Sequence, residues 1–170
     1  MSKITTFEDL FCHELSDLMN AETQLTKALQ EMAEAASDPT LKEGFETHQQ
    51  ETEGQLEKIQ QVFESIEMEP EKITCEAMKG LIKEGKDVIS EFEEGPLRDC
   101  ALIIAAQKVE HYEIAGYGSV CALAEKLGFD EAKELLGEIL EEEKATDEKL
   151  TEAAENINEK AYDEVADAAE

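Results

Sequence analysis

Two pairs of long amphipathic helices, joined inside each pair by a tight turn but to one another by about 30 residues, restrict this chain to very few architectures. The pattern is read from the spacing of apolar residues and from the breaks between them. The first stretch begins near Thr5, where Thr5-x-x-Glu8 has the form of a capping box. Its apolar stripe is Phe7, Leu10, Phe11, Leu15, Leu18, Leu25, Leu29 and Met32. Ser37-Asp38-Pro39 stops it and supplies an N-cap and a first-turn proline for a second helix from about 39 to 66. The inward residues predicted there are Leu41, Phe45, Leu56, Ile59, Val62, Phe63 and Ile66.

Glu69-Pro70 then breaks the chain. Residues 74–92 read as a shorter helix interrupted by Gly80 and Gly85, ended by Gly95-Pro96. A third long helix spans about 97 to 127, with Leu102, Ile103, Ile104, Val109, Ile114, Tyr117, Val120 and Leu123 facing inward. Gly128 stands where a left-handed C′ residue belongs, and Asp130 can cap a fourth long helix carrying Leu135, Leu136, Ile139, Leu140, Leu150 and Ile157. Short turns force each pair into an antiparallel hairpin. A simple up-and-down bundle has no need of the long middle connection. The expectation is an all-α, ferritin-like four-helix bundle with one crossover that contains an extra shorter helix. The bundle is assigned to 1–157 with the crossover at 68–96, and 158–170 is read as an acidic, frayed tail.

Charge narrows the function. The net charge is −28, which repels nucleic acid and anionic membrane surfaces. There is no apolar run near the length of a membrane span, and Met1-Ser2-Lys3-Ile4 lacks the apolar core of a signal peptide, so a cytoplasmic location is expected. Cys12, Cys75, Cys100 and Cys121 form no Cys-x-x-Cys pair and read as reduced thiols packed as small hydrophobes. With 43 acids in 170 residues, acid spacing alone says nothing about metals. What matters is which acids interrupt an apolar face.

Each long helix has such an interruption. Glu22 breaks the first stripe. His48, Thr52 and Gln55 break the second, with Glu51 beside them. Glu110 breaks the third, flanked by His111 and Glu113, and Glu143 breaks the fourth, next to Thr146 and Asp147. Glu22 lies about 15 residues before its hairpin turn and Glu51 about 13 after it; Glu113 and Glu143 lie about 15 on either side of theirs, so a rise of 1.5 Å per residue brings all four to one level. Carboxylates gathered in a core repel one another and cost several kcal/mol each to desolvate. Lys108 and Lys144 are close in sequence but fall on outward phases. Two divalent cations would offset about four negative charges, and hard oxygen ligands with few nitrogens favour iron or manganese.

Taken singly these residues are ambiguous. Glu22 could be a solvated edge residue and His48 a core histidine. His111 reads as surface or as a support for a ligand, His13 as surface. Glu142 could trade places with Glu143, Asp147 could ligate or support, and Tyr112 and Tyr117 read as core. It is the shared level of the four interruptions that favours a metal site. The ligand set expected is Glu22, His48, Glu51, Glu110, Glu113, Glu143 and Asp147.

Phe7-Glu8-Asp9-Leu10-Phe11, Ala21-Glu22-Thr23-Gln24-Leu25 and His48-Gln49-Gln50-Glu51-Thr52 resemble the YciF-type (YciF/YciE) ferritin-like family. So do Gln107-Lys108-Val109-Glu110-His111-Tyr112-Glu113-Ile114-Ala115 and Leu140-Glu141-Glu142-Glu143-Lys144-Ala145-Thr146-Asp147. The likeness extends to about residue 157. It implies a bacterial, cytoplasmic, dimeric stress-response protein with a ferritin-like core. More distantly, Glu110-x-x-Glu113 resembles rubrerythrin. That likeness implies Glu22 as the ligand of the first helix, and Glu51 and Glu143 as bridging carboxylates of the second and fourth. The chain departs from the pattern in two places: His48-x-x-Glu51 reverses the usual Glu-x-x-His order, and Thr146 stands where a second histidine is expected. It also has no Cys₄ module to deliver electrons, so the electron donor is unknown.

The leading expectation is a two-iron protein, with manganese as the other metal, that reacts with dioxygen or peroxide under stress. The other is a non-catalytic stress or interaction protein with a structural or vestigial metal site. Iron storage in a hollow shell is a third. A homodimer is expected, as two-fold dimers are the commonest oligomers.

Overall fold

The computed structural model describes residues 3–167. Five helices follow in order: α1 (Phe7–Ala35), α2 (Pro39–Ser65), α3 (Glu76–Glu91), α4 (Pro96–Leu127) and α5 (Asp130–Asp167). α1 packs beside α2 and α4, and α5 beside α2 and α4, which closes a four-helix rectangle. α3 lies against α1 and α4 on the outside, so the crossover is a cover over one groove of the bundle. The fold is the all-α bundle with one crossover that the loop lengths predict.

The helix ends follow from local chemistry. Thr6, one residue later than expected, caps α1 by accepting from Asp9 N at 3.0 Å. Asp38 caps α2 ahead of Pro39, accepting from Thr40 N and Leu41 N. Cys75 caps α3 through its sulfur, and α3 runs unbroken through Gly80 and Gly85. Gly128 ends α4 at φ 72, the left-handed conformation that a residue without Cβ adopts at little cost. The turn between α1 and α2 is tied to α4 by Asp99, whose two carboxylate oxygens accept from Ser37 N and Asp38 N, each at 2.8 Å.

Three expectations are corrected. Residues 158–167 are not a frayed tail: α5 continues to Asp167, because Ile157 and Ala161 are buried and Lys160 pairs with Asp38 at 2.9 Å. Residues 168–170 lie outside the described residues. Phe7 and Ile104 are exposed, since each falls off the inward line of its helix.

The buried apolar residues form two clusters. One gathers Leu25, Leu29, Leu41, Phe45, Leu102, Ile103, Val109 and Leu150 together with Met78 of α3. The other gathers Phe11, Leu15, Leu18, Ile59, Val62, Tyr117, Val120, Leu136 and Ile139 towards the opposite end. Between them lies a polar layer. Gly116 lets α4 approach α1 there: a Cβ at this position would stand 2.7 Å from Leu18 Cδ2, one turn away from Glu22.

Candidate metal centre

The layer is built by a single inward rhythm on all four long helices, alternating steps of three and four residues. On α1 it runs Leu15, Leu18, Glu22, Leu25, Leu29. On α2 it runs Phe45, His48, Thr52, Gln55, Ile59. On α4 it runs Ile103, Ala106, Glu110, Glu113, Tyr117, and on α5 Leu136, Ile139, Glu143, Thr146, Leu150. Every residue named in these runs is buried.

His48, Glu110, Glu113 and Glu143 each offer one ligand atom, and these atoms all lie within 4.8 Å of one another. His48 Nε2 is 3.2 Å from Glu110 Oε1. Gln55 donates from Nε2 to Glu143 Oε1 at 2.5 Å, reaching across from α2 to α5. Tyr117 donates its phenolic hydrogen to Glu22, which adjoins Glu113. Glu22 thus belongs to the layer, held at its edge by Tyr117.

Glu51 and Asp147 do not join the cluster. On α2 the step of three from Phe45 to His48 is followed by a step of four to Thr52, so Glu51 lies on the flank while Thr52 and Gln55 take the inward line. Glu51 remains part-exposed, with Oε2 3.7 Å from His48 Nδ1 and Oε1 3.6 Å from Lys149. On α5 the step after Glu143 is three residues, so Thr146 is inward and Asp147 is not. Asp147 accepts from Gln107 Nε2 at 3.2 Å and lies 3.4 Å from the exposed His111. Glu142 pairs with Lys58 at 2.6 Å on the outside, and His13 pairs with Glu71. Gln55 and Tyr117, which stand outside the ligand set expected from sequence, are the hydrogen-bond partners of Glu143 and Glu22. The three-four rhythm identifies Gln55 as inward, whereas the partnership of Tyr117 with Glu22 requires the packing of α1 on α4.

Burial and the mutual repulsion of the carboxylates set the electrostatics of the layer. Burial pushes Glu143 up to about 10, with the nearby carboxylates of Glu22 and Glu110 adding to it. Burial raises Glu22 to about 7 against the opposing hydrogen bond from Tyr117, and raises Glu113 well above the ordinary range, reinforced by Glu22 and Glu143. For His48 burial opposes the charge, but Glu110 and then Glu51 and Glu143 outweigh it and the pKa is raised. Both oxygens of Glu113, both ring nitrogens of His48 and one oxygen each of Glu22, Glu110 and Glu143 have no hydrogen-bond partner. Buried polar atoms are seldom left so. Four carboxylates on two dications would be neutral, and the open oxygens and nitrogens are suitable donors for hard or borderline ions. The residues present fit a metal centre. They also depart from a symmetric one: Thr52 and Gln55 occupy the inward places, three apart, that a Glu-x-x-His pair would fill on α2.

The chain is 53% identical to Protein YciF of Escherichia coli (strain K12) over 158 residues, covering 92% of this chain and 95% of that protein. The crystal structure of the E. coli stress protein YciF superposes with a TM-score of 0.90 at 52% identity, over 92% of this chain and 99% of that one. YcfI from Rhodopseudomonas palustris gives 0.85 at 43% identity, over 88% and 95%. A Xanthomonas campestris protein at 20% identity, with a TM-score of 0.74, shares the fold. Residues 6–162 match the family described as Domain of unknown function (DUF892). The chain therefore belongs to this family, as a YciF-type protein with an all-α bundle and a buried carboxylate-histidine layer.

Proposed function

We propose that this is a stress-associated protein whose central layer binds two divalent metal ions, iron or manganese, and reacts with dioxygen or peroxide. The observation that carries this reading is the set of buried carboxylate oxygens and imidazole nitrogens that converge without partners. His48, Glu110, Glu113 and Glu143 would ligate, with Glu22 completing the charge. When bound, the metals would supply electrons to the oxygen substrate. The protein's own part is positional. Gln55 fixes one oxygen of Glu143, Tyr117 fixes one oxygen of Glu22, and the apolar clusters flank the layer on either side.

A titration of metal-stripped protein with ferrous iron under nitrogen tests it. The expected result is about two ions per chain retained at high salt, which displaces ions held only by the acidic surface. Anomalous scattering should put them among the four clustered ligands. Glu110→Ala or Glu113→Ala should abolish retention. No ion retained at high salt would remove the reading.

A structural metal site is the second reading. It is favoured by the neutral Gln55 amide, which takes an inward place where a ligand would otherwise stand. It differs in one outcome: metal binds and stabilises the fold, but neither dioxygen nor peroxide is consumed.

A further inference from the structure

A cleft of about 490 Å³ opens between the N-terminal half of α2 and the C-terminal half of α5, and its inner end is His48 and Glu110. Dioxygen and peroxide are about the size of water, whose share of liquid volume is about 30 Å³, so a cleft this large is not needed to admit them. It falls in the range of small-molecule sites, about 300–1,000 Å³. Leu41 and Phe45 from α2 and Leu150 and Ala153 from α5 give the lining an apolar strip, beside which stand Glu43, Glu51, Lys149 and Glu152. Gly44 on the α2 side faces this space, and a Cβ there would meet nothing within 4 Å, so a larger side chain at this position would fill the cleft.

We propose that this cleft binds a small uncharged molecule with a hydrocarbon body and a single oxygen-bearing end, such as a medium-chain alcohol, aldehyde or hydroperoxide. The body lies along Leu41, Phe45, Leu150 and Ala153. The polar end meets His48 and Glu110, which are 3% and 1% exposed and whose His48 Nδ1, His48 Nε2 and Glu110 Oε2 atoms lack hydrogen-bond partners. An anionic end is disfavoured by Glu43, Glu51, Glu110 and Glu152 in the lining, and a cationic end at the inner position would compete with His48, which already faces Glu110 at 3.2 Å. A further charge buried there has no free counter-charge. Placement of the polar end against metal ligands rests on the proposed function; binding in the cleft does not.

The test uses full-length, metal-free protein and 1-octanol, octanoate and octylamine as probes, followed by methyl NMR and calorimetry. The expected result is saturable octanol binding that shifts the methyls of Leu41 and Leu150 but not those of Leu15 and Leu136 in the far cluster. Octanoate and octylamine should each bind at least about tenfold more weakly, a difference of 1.4 kcal/mol. Gly44→Leu, and Ala153→Leu from the facing wall, should each weaken octanol by about tenfold or more while iron retention stays as in the parent. Absence of saturable shifts in the parent protein would overturn the proposal, whatever the variants do. So would equal binding of either ion. A change of oligomeric mass in Gly44→Leu, with no octanol binding to the parent, would show instead that the cleft is a contact between copies of the chain. Because iron retention and octanol binding are measured separately, loss of one reading leaves the other standing.

Discussion

Gln55 on α2 and Glu143 on α5 are 88 residues apart in the chain, and their side chains meet at 2.5 Å in the middle of the bundle. The amide holds one carboxylate oxygen and leaves the other, Oε2, without a partner and directed into the layer. Gln55→Leu should therefore do two things. It should lower the stability of metal-free protein by about 1–3 kcal/mol, the cost of an orphaned buried acceptor. It should also weaken metal retention by about 10–100-fold, as loss of a ligand's supporting hydrogen bond commonly does. Thermal melts with and without metal separate the two effects. Unchanged retention would show that Glu143 needs no orientation by Gln55.

Glu113 has both oxygens buried and unpartnered. Replacing an unpartnered buried carboxyl by an apolar side chain of similar volume removes its desolvation cost. Glu113→Met is expected to raise the melting temperature of metal-free protein while abolishing metal retention. A lower melting temperature would mean that the carboxyl has a partner in solution.

The raised carboxyl pKa values have a direction in pH. A carboxyl whose pKa rises on folding holds its proton more tightly folded than unfolded. Its stabilising contribution is complete below the ordinary value of 4.5 and is lost as pH rises through the folded value, about 7 for Glu22 and about 10 for Glu143. The raised His48 acts in the same sense, above its ordinary 6.5. Glu51, lowered by the nearby His48 and Lys149, acts in the opposite one. Metal-free protein should lose stability from about pH 5 to 10, and Glu113→Met should show a shallower loss because the strongly raised carboxyl of Glu113 no longer contributes. Urea unfolding across that range measures it. Parallel curves for parent and variant would count against a raised Glu113.

Asp147 lies off the inward line and is engaged by Gln107. Asp147→Asn should leave the retained metal count unchanged and move stability by no more than about 0.5 kcal/mol, as for an ordinary surface change. Loss of a metal ion in this variant would bring Asp147 back among the ligands.

Asp99 accepts two backbone N–H groups at the α1–α2 turn while standing 2% exposed on α4. Asp99→Leu would orphan both donors, at about 1–3 kcal/mol each. Calorimetry should show a loss of that order with metal retention intact, because the turn lies away from the layer. A loss below about 1 kcal/mol would mean that water replaces the carboxylate.

The helices, their pairing and the existence of a polar layer are all legible in the order of residues. Ser37-Asp38-Pro39, Glu69-Pro70, Gly95-Pro96 and Gly128 are local signals, and local signals set helix ends whatever the helix packs against. The level of the layer was legible too, because a fixed rise per residue converts distance from a turn into height. Which acids occupy the layer was only half legible. Glu22, Glu110, Glu113 and Glu143 sit on inward positions of an unbroken rhythm, but Glu51 and Asp147 are each one residue from such a position, a rotation of about 100°. Only packing decides that rotation: Phe45 and Ile59 anchor α2, and Ile139 and Leu150 anchor α5, so that Thr52, Gln55 and Thr146 face the centre. Tertiary structure alone also joined Gln55 to Glu143 and Tyr117 to Glu22, and opened the cleft beside Gly44. Those features depend on the separation and relative rotation of helices distant in the chain, which no local pattern encodes.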